Sequence, residues 1–284
     1  MRHNGRRAMP ELPEVETVRR TLGPRWIGRS VVAVKIGRAD FVRRAPAGPR
    51  LAALGMGGTA TDILRHGKQM AVVFDDGRAV HLHLGMSGQV FVVAPGTAPA
   101  RTDHVHIRWM LNDGSAVLFR DPRRFGGVWA FATVEELQRE RWEALGPDAL
   151  TIGTARLRQG LGHSGRAVKA CLLDQAVLAG VGNIYADEAL FVAGIAPHTL
   201  ARDLSPEQTT RLARAVRAVL RAGVRARGST LRDFVDADSR EGSQQSRFRV
   251  YGRAGQPCRE CGATLLGSVI SQRTTTHCPA CQAV

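Results

Sequence analysis

The chain has 284 residues and carries 40 Lys and Arg against 25 Asp and Glu, a formal net charge of +15. Its hydrophobic fraction of 44% excludes wholesale disorder, and its length suits about two domains. A positive surplus of this size indicates an anionic partner: nucleic acid is the first expectation, and a solvated basic surface is the alternative.

No segment of the sequence predicts a membrane span. The longest mostly apolar stretch, residues 171–181, contains Asp174 and Gln175 and is far shorter than the ~20 residues needed. The first nine residues are basic but lack the apolar segment of a secretory signal. Four of the five cysteines crowd the C-terminus, which favours an intracellular metal site over a disulfide framework. We therefore expect a cytoplasmic protein.

Residues 10–142 are predicted to form an all-β sandwich or barrel with one helix attached. The helix begins near Pro13, because Val15, Val18 and Leu22 follow at helical spacing. Asp-Asp-Gly at 75–77 and Asn-Asp-Gly at 112–114 are typical of hairpin turns between strands. The β-rich runs expected to be strands are 30–36, 59–64, 69–74, 79–84, 104–110, 116–120 and 127–131.

Residues 143–247 are predicted to be mainly helical. The clearest helix starts behind Ser205, where Pro206 and Gln208 complete a capping box. Arginines lie mostly off the apolar stripe of this helix, which favours a solvated face. Residues 236–247 have almost no apolar side chain and are predicted to form a flexible loop.

Residues 248–284 are predicted to be a zinc-finger hairpin. Two Cys-x-x-Cys pairs are separated by sixteen residues, the spacing of a closed structural Zn²⁺ site. The alternative is four cysteines without a metal. The predicted ligands are Cys258, Cys261, Cys278 and Cys281. Arg273 lies between the two pairs, where it is either a phosphate probe at the hairpin tip or an ordinary exposed arginine.

Six segments together resemble a known family. They are 10–17 (PELPEVET), 82–88 (LHLGMSG), 121–126 (DPRRFG), 172–175 (LLDQ), 179–188 (AGVGNIYADE) and 250–253 (VYGR). In this order they resemble the signature blocks of bacterial formamidopyrimidine-DNA glycosylases. The resemblance implies an α+β fold: an N-terminal β-sandwich with a flanking helix, a helical helix-two-turns-helix domain and a C-terminal zinc-finger hairpin.

The resemblance also implies a set of catalytic residues. Pro10 would be the nucleophile, because a proline at a free N-terminus is a secondary amine that can attack a sugar carbon. Glu11 would be the general acid and base, with Glu14 in support. Lys68 and Arg273 would contact phosphates at the lesion. The alternatives are a strand-edge position for Lys68 and a favourable interaction of Glu14 with the helix dipole.

Further residues would grip the DNA. The resemblance implies that Met86, Arg123 and Phe125 fill the gap left by an extruded base, since apolar wedges and arginine suit that task. Core packing is the alternative for Met86 and Phe125. The DNA-binding residues implied are His104, Arg123, Arg124, Asn183 and Arg273.

Two features depart from the family pattern. If the chain starts at Met1, Pro10 is internal and its nitrogen is an amide; we therefore expect residues 1–9 to be absent from the active protein. The segment 236–247, expected to cover the lesion, lacks the family's aromatic element and has Gly242-Ser243-Gln244 in its place.

The sequence thus predicts a monomeric bifunctional DNA glycosylase and AP lyase of base excision repair. Its expected substrate is damaged double-stranded DNA carrying 8-oxoguanine or formamidopyrimidines. One alternative is an endonuclease VIII-like enzyme for oxidised pyrimidines. The other is a DNA-binding protein without activity, if Pro10 stays internal.

Overall fold

The computed structural model describes residues 9–99 and 102–283. The chain folds into two compact units. The first consists of Met1–Ala144 with Arg227–Gly242, and the second of Leu145–Ala226 with Ser243–Val284. Residues 1–8 of the predicted N-terminal extension lie outside the described residues.

The first unit opens with helix α1, Leu12–Trp26. Its N-cap is Glu11, which forms a capping box with Glu14, so Pro13 is the second helical residue rather than the first. Leu12, Val15, Val18 and Leu22 are buried along one side, as their helical spacing predicts.

Over its described residues the first unit also has nine strands, two short α-helices and a 3₁₀ turn, Ala39–Phe41. The strands are β1 (Val31–Ile36), β2 (Val42–Arg44), β3 (Ala60–His66), β4 (Gln69–Phe74), β5 (Ala79–His83), β6 (Gln89–Val93), β7 (Val105–Leu111), β8 (Ala116–Arg120) and β9 (Gly127–Phe131). The short helices are α2 (Arg50–Ala53) and α3 (Val134–Leu137), and a π-helical turn, Gln138–Trp142, follows α3.

These strands form a β-sandwich. One sheet has the order β1-β7-β8-β6 and the other β2-β9-β5-β4-β3. Val72 and Leu82 of the second sheet share one buried core with Trp109 and Phe119 of the first and with Trp26 of α1. The predicted sandwich with an attached helix is therefore confirmed.

All seven predicted strands are present, and the sheets contain two further strands, β2 and β6, that the sequence pattern does not predict. Strand β2 has three residues and pairs in parallel with β9, so only a partner distant in sequence makes it a strand. Strand β6 is the edge of its sheet and pairs with β8. Its apolar residues directly follow the glycine-rich turn 84–88, so the sequence does not show where the turn ends and the strand begins.

The segment Arg227–Gly242 groups with the sandwich, whereas the sequence analysis placed it in the helical domain. Ala237 is fully buried in the sandwich core, and its carbonyl accepts a hydrogen bond from the Val92 amide at 2.9 Å. Asp236 is also fully buried and caps the amides of Asp238 and Arg240. The polar residues of this segment form a hydrogen-bonded loop that is partly buried, whereas their low hydropathy predicts an exposed and flexible one.

The second unit is helical. Its helices are α4 (Thr154–Leu161), α5 (Val168–Leu173), α6 (Asn183–Ala193) and α7 (Pro206–Arg225). The predicted capping box of α7 is confirmed, because Ser205 and Gln208 exchange backbone-to-side-chain hydrogen bonds. Two arginines of α7 are structural as well as charged: Arg211 and Arg217 donate to the carbonyls of Ala193 and Ile152.

A two-stranded hairpin ends the second unit. Strands β10 (Leu266–Ile270) and β11 (Arg273–His277) pair in antiparallel register. Ser271 and Gln272 at the tip both have positive φ, which suits a tight two-residue turn. Within the described residues, no helix is long and apolar enough to cross a membrane.

Candidate nucleic-acid interface and metal centre

The predicted catalytic residues at the start of the chain are buried together. Pro10 is buried next to Glu11, which is 4% exposed, and Glu14, which is 2% exposed. The Glu11 amide donates to Glu14 Oε2 at 3.0 Å. The start of α1 therefore brings the Pro10 nitrogen and the carboxylates of Glu11 and Glu14 together at a position that is largely shielded from water.

Glu14 also holds a distant segment. Its Oε1 accepts a hydrogen bond from the Ser229 amide at 2.7 Å. Gly228 has a φ of +80°, and a Cβ there would lie 3.0 Å from Glu14 Cγ and Oε1. The loop Arg227–Gly242 is thus fixed to the residue that also contacts Glu11, so Glu14 does more than complement the helix dipole.

Lys68 lies at the turn of the β3–β4 hairpin. Gly67 and Lys68 form the two-residue turn after His66, and Lys68 is half-buried. Its charge acts on His83 of β5, because Lys68 contributes to lowering the pKa of that imidazole. Lys68 therefore lies within electrostatic reach of His83.

Two glycine-rich loops, 84–88 and 121–126, pack against one another. A Cβ on Gly85 would lie 2.5 Å from the Gly126 nitrogen, and one on Gly126 would lie 2.5 Å from the His83 carbonyl oxygen. Asp121 is fully buried and accepts hydrogen bonds from Ser87 Oγ and from the Gly126 amide at 2.8 Å. One buried carboxylate therefore holds both loops.

These loops carry the three predicted intercalating residues. The Arg123 guanidinium lies 4.7 Å from the centre of the Phe125 ring, and Phe125 is 54% exposed. Met86 is half-buried at the turn of the facing loop. Core packing is therefore wrong for Phe125, and the three side chains belong to one pair of touching loops.

Arg124 and His104 lie at exposed positions with unusual backbone geometry. Both have a φ near +60°, which is uncommon for residues other than glycine. Arg124 Nη1 contacts Asp40 Oδ2 at 3.3 Å, and His104 Nε2 lies 3.6 Å from Asp103 Oδ2. Each contact engages only part of the polar side chain, and both side chains stay exposed.

The predicted phosphate-binding residues of the second unit lie close together. Asn183 is the first residue of α6, and its Nδ2 donates to the Thr274 carbonyl at 2.9 Å. Arg273 is the residue before Thr274 and is exposed. Gln175 braces the turn ahead of α6 through the Gly180 amide and the Val181 carbonyl. The hairpin tip and the helix start thus form one polar surface.

A buried ion pair supports this surface, and sequence reasoning missed it. Lys169 Nζ lies 2.6 Å from Asp187 Oδ1, and both side chains are almost completely inaccessible. Lys169 also donates to the Thr274 carbonyl and to Thr275 Oγ1, while the Thr276 amide donates to Asp187. Burial raises the pKa of Asp187 to about 6, against the opposing effect of Lys169. A single lysine in an apolar helical run was the available signal.

The four cysteines form a site that could hold a metal ion. Their Sγ atoms all lie within 4.8 Å of one another. The Cys261–Cys278 and Cys258–Cys281 sulfur separations are 3.5 and 4.0 Å. Four sulfurs around one Zn²⁺ lie about 3.8 Å apart, given a Zn–S distance of about 2.3 Å. The donor set and spacing therefore fit a tetrahedral ion.

Backbone amides around the cysteines favour thiolates. The Glu260 amide donates to Cys258 Sγ and the Cys281 amide to Cys278 Sγ, each at 3.4 Å. Burial opposes ionisation of Cys258, but the amides of Glu260 and Cys261 help to bring the pKa of its thiol down to about 7. The remaining cysteine, Cys171, is buried in α5 as predicted.

A β-sandwich with a buried Pro-Glu pair just before its first helix, a helical unit and a four-cysteine hairpin defines a class of DNA glycosylase. Two family models match the chain: the formamidopyrimidine-DNA glycosylase N-terminal domain over residues 9–128 and its H2TH domain over residues 145–235.

Full-length relatives agree. The formamidopyrimidine-DNA glycosylase of Neisseria meningitidis is 40% identical over 96% of this chain and 100% of its own length. The crystal structure of MutM (Fpg) from Thermus thermophilus is 39% identical with a TM-score of 0.82, covering 96% of this chain and 98% of that one. A Lactococcus lactis Fpg mutant in complex with a Fapy-dG containing DNA is 30% identical with a TM-score of 0.85, covering 97% and 100%.

The chain belongs to the formamidopyrimidine-DNA glycosylase family. The predicted family and the α+β fold are thereby confirmed.

Proposed function

We propose that this protein is a bifunctional DNA glycosylase and AP lyase that removes oxidised purines from duplex DNA. The observation that carries the proposal is the buried Pro10–Glu11 pair at the start of α1, in a chain that matches family members over almost its whole length. The net charge of +15 suits the polyanionic substrate.

The reaction requires a free Pro10 nitrogen. This secondary amine attacks C1′ of the damaged nucleotide, the C1′–N bond breaks, and the departing base takes up a proton. A carboxyl group is suited to supply or accept protons on the sugar, and Glu11 is next to Pro10 in a buried position where its proton affinity can be tuned. Loss of the base leaves an aminal at C1′, and the iminium between C1′ and Pro10 forms when the C1′–O4′ bond breaks and O4′ takes up a proton.

The iminium makes strand cleavage possible. It acidifies the C2′ proton, and removal of that proton expels the 3′ phosphate by β-elimination. A second elimination expels the 5′ phosphate, and hydrolysis of the iminium releases Pro10. Residues that hold the flanking phosphates keep the sugar in place during both steps; we assign Lys68 to this task in the first unit, and Asn183 and Arg273 in the second.

The paired loops 84–88 and 121–126 would occupy the gap in the DNA. A flipped base leaves an unstacked partner. Phe125 and Met86 offer apolar wedges, and the Arg123 guanidinium, which lies over Phe125, offers donors to the orphaned base. His104 and Arg124 would add phosphate contacts beside these loops.

We assign the metal as one structural Zn²⁺. Four cysteines leave no open position for substrate or water, so the ion would stabilise the hairpin that carries Arg273. Residues 236–247 stay the proposed cover of the lesion, and their first part, through Gly242, belongs to the loop Arg227–Gly242 that Glu14 holds through Ser229. The protein would act in the cytoplasm.

Borohydride trapping tests the proposal. Protein shown by intact-mass measurement to begin at Pro10 is mixed with an 8-oxoguanine duplex and reduced, and a covalent adduct is expected. Protein that retains residues 1–9 is the control and should give none. An active species that retains Met1 would contradict the role of Pro10.

The same experiment separates the alternatives. An adduct formed only with a thymine glycol duplex would support an endonuclease VIII-like enzyme. No adduct with any lesion, from protein that begins at Pro10, would leave a DNA-binding protein without activity.

A further inference from the structure

Arg141 lies on the outer face of the five-stranded sheet. It belongs to the π-helical turn Gln138–Trp142, a rare geometry that often marks functional sites. The turn is attached by a small apolar cluster in which Leu137 packs with Phe131 and Trp129. This cluster is separate from the sandwich core, which lies on the other face of the same sheet.

The Arg141 side chain is held in place but not neutralised. Its guanidinium carbon lies 4.4 Å from the centre of the Trp129 ring, and Trp129 is held in turn by an edge contact with His81. Arg141 Nε is buried without a hydrogen-bond partner, and among the described residues no carboxylate forms an ion pair with Arg141. A partly desolvated cation without a partner is costly unless something outside the chain pairs with it.

The neighbourhood of Arg141 is positive. Burial lowers the pKa of His83 to about 4, and the charges of Arg141 and Lys68 act in the same direction. Both cations therefore lie within electrostatic reach of one imidazole, so this part of the surface favours the phosphates of a polyanion.

The carboxylates that act on these groups have other partners. Asp121 opposes the cations at His83, but Ser87 Oγ and the Gly126 amide already donate to it. The charge of Glu140 opposes the lowering of the Arg141 pKa by burial, but Glu140 Oε1 accepts a hydrogen bond from Arg44 at 2.9 Å. Asp121 and Glu140 are therefore engaged elsewhere, and neither forms an ion pair with Arg141.

We propose that Arg141 binds a phosphate of the DNA backbone, next to the one held by Lys68. The inference rests on the proposed function. A guanidinium offers two parallel N–H donors that match phosphate oxygens, and stacking on Trp129 fixes its plane before DNA arrives. Arg141 lies outside the six segments that resemble the family, so the family pattern does not supply this contact.

The test compares three variants in binding to a duplex that carries a tetrahydrofuran abasic analogue. Arg141→Gln removes the charge, Arg141→Lys keeps it without the planar fork, and Arg139→Gln removes an exposed charge from the same turn as a matched control. Each phosphate contact contributes about 0.9 to the slope of log K against log salt. We expect Arg141→Gln to lower this slope by about that amount and the affinity about tenfold. Arg141→Lys should keep the slope and lose affinity, and Arg139→Gln should change neither.

A methylphosphonate scan then locates the phosphate. Neutralising the phosphate that Arg141 contacts should weaken binding of wild type but not weaken binding of Arg141→Gln any further. Neutralising any other contacted phosphate should weaken binding of both proteins by the same factor. Equal slopes for Arg141→Gln and Arg139→Gln would overturn the proposal. The proposal would also be overturned if Arg141→Gln weakened the binding of inorganic phosphate but not of DNA, since that result would indicate an anion site unrelated to DNA. Borohydride trapping of wild type is measured in parallel, so that failure of the proposed function is distinguished from failure of this contact.

Discussion

Two buried charged residues each join parts of the chain that are distant in sequence. Glu14 links the start of α1 to Ser229, and Lys169 links α5 to the β11 strand through Thr274 and Thr275. In both cases burial makes the hydrogen bonds obligatory, because an unsatisfied charge in the interior is unfavourable. Single side chains therefore position the residues proposed to react with or bind DNA.

Glu16 provides a residue-scale prediction with a pH dependence. Burial raises its pKa, but hydrogen bonds from Arg19 and Arg20 and the charge of Arg65 outweigh burial and lower the pKa to about 2 from an ordinary 4.5. A lowered folded-state pKa stabilises the fold above pH 4.5, and this contribution is lost as the pH falls toward 2. We expect Glu16→Gln to be less stable than wild type at pH 7.

Urea unfolding at several pH values checks this expectation. The difference in unfolding free energy between wild type and Glu16→Gln should shrink steadily below pH 4.5. The control is Glu143→Gln, which changes an exposed glutamate and should match wild type at pH 7. A difference for Glu16→Gln that does not vary with pH would contradict the ion-pair explanation.

At the scale of elements, the local sequence predicts the turns and the helix caps, but it does not predict the structure of the long loop Arg227–Gly242. The capping box of α7 and the β7–β8 hairpin follow local rules. The loop Arg227–Gly242 depends on Asp236, which receives hydrogen bonds within the loop, and on Ala237, which enters the sandwich core. The partners of such residues are fixed by the sandwich, so their own sequence does not reveal their place.

Gly242 tests the closure of this loop. A Cβ there would lie 2.2 Å from the Gly228 carbonyl oxygen, so Gly242→Ala must open the loop or shift its backbone. We expect a loss of about 1–3 kcal/mol in stability, faster amide exchange across residues 227–242, and weaker adduct formation with 8-oxoguanine DNA. Gly153→Ala is the control, since nothing lies within 4 Å of its added Cβ. Unchanged exchange in Gly242→Ala would refute this account of the loop.

At the scale of the whole molecule, the two units can be observed separately. All four tryptophans, Trp26, Trp109, Trp129 and Trp142, belong to the first unit. The cysteine cluster belongs to the second. Tryptophan fluorescence therefore follows the sandwich while metal is removed from the hairpin.

Metal removal should affect the units differently. Chelation, or Cys258→Ser or Cys278→Ser, should release about one Zn²⁺ per chain and abolish DNA binding, because the hairpin that carries Arg273 loses its closed site. The unfolding transition seen by tryptophan fluorescence should stay unchanged. Cys171→Ser is the control and should retain both metal and DNA binding. Undiminished DNA affinity in the cluster variants would refute the proposed role of the hairpin.

The sequence by itself determined the family, the sandwich, the helical unit and the cysteine site. Hairpin turns, caps and Cys-x-x-Cys spacing act between neighbours in the chain, so their chemistry can be read locally. The roles of Pro10, Met86, Arg123, Phe125 and Asn183 came from the family resemblance and stay predictions.

Only the tertiary structure decided which distant groups meet. The Glu14–Ser229 hydrogen bond, the Lys169–Asp187 pair and the stacking of Arg141 on Trp129 each join residues of different structural elements. Such contacts exist because the sandwich and the helices bring these residues together, and burial then requires each charge to find a partner. Among the described residues Arg141 has no carboxylate in contact, and a DNA phosphate is the partner that we propose for it.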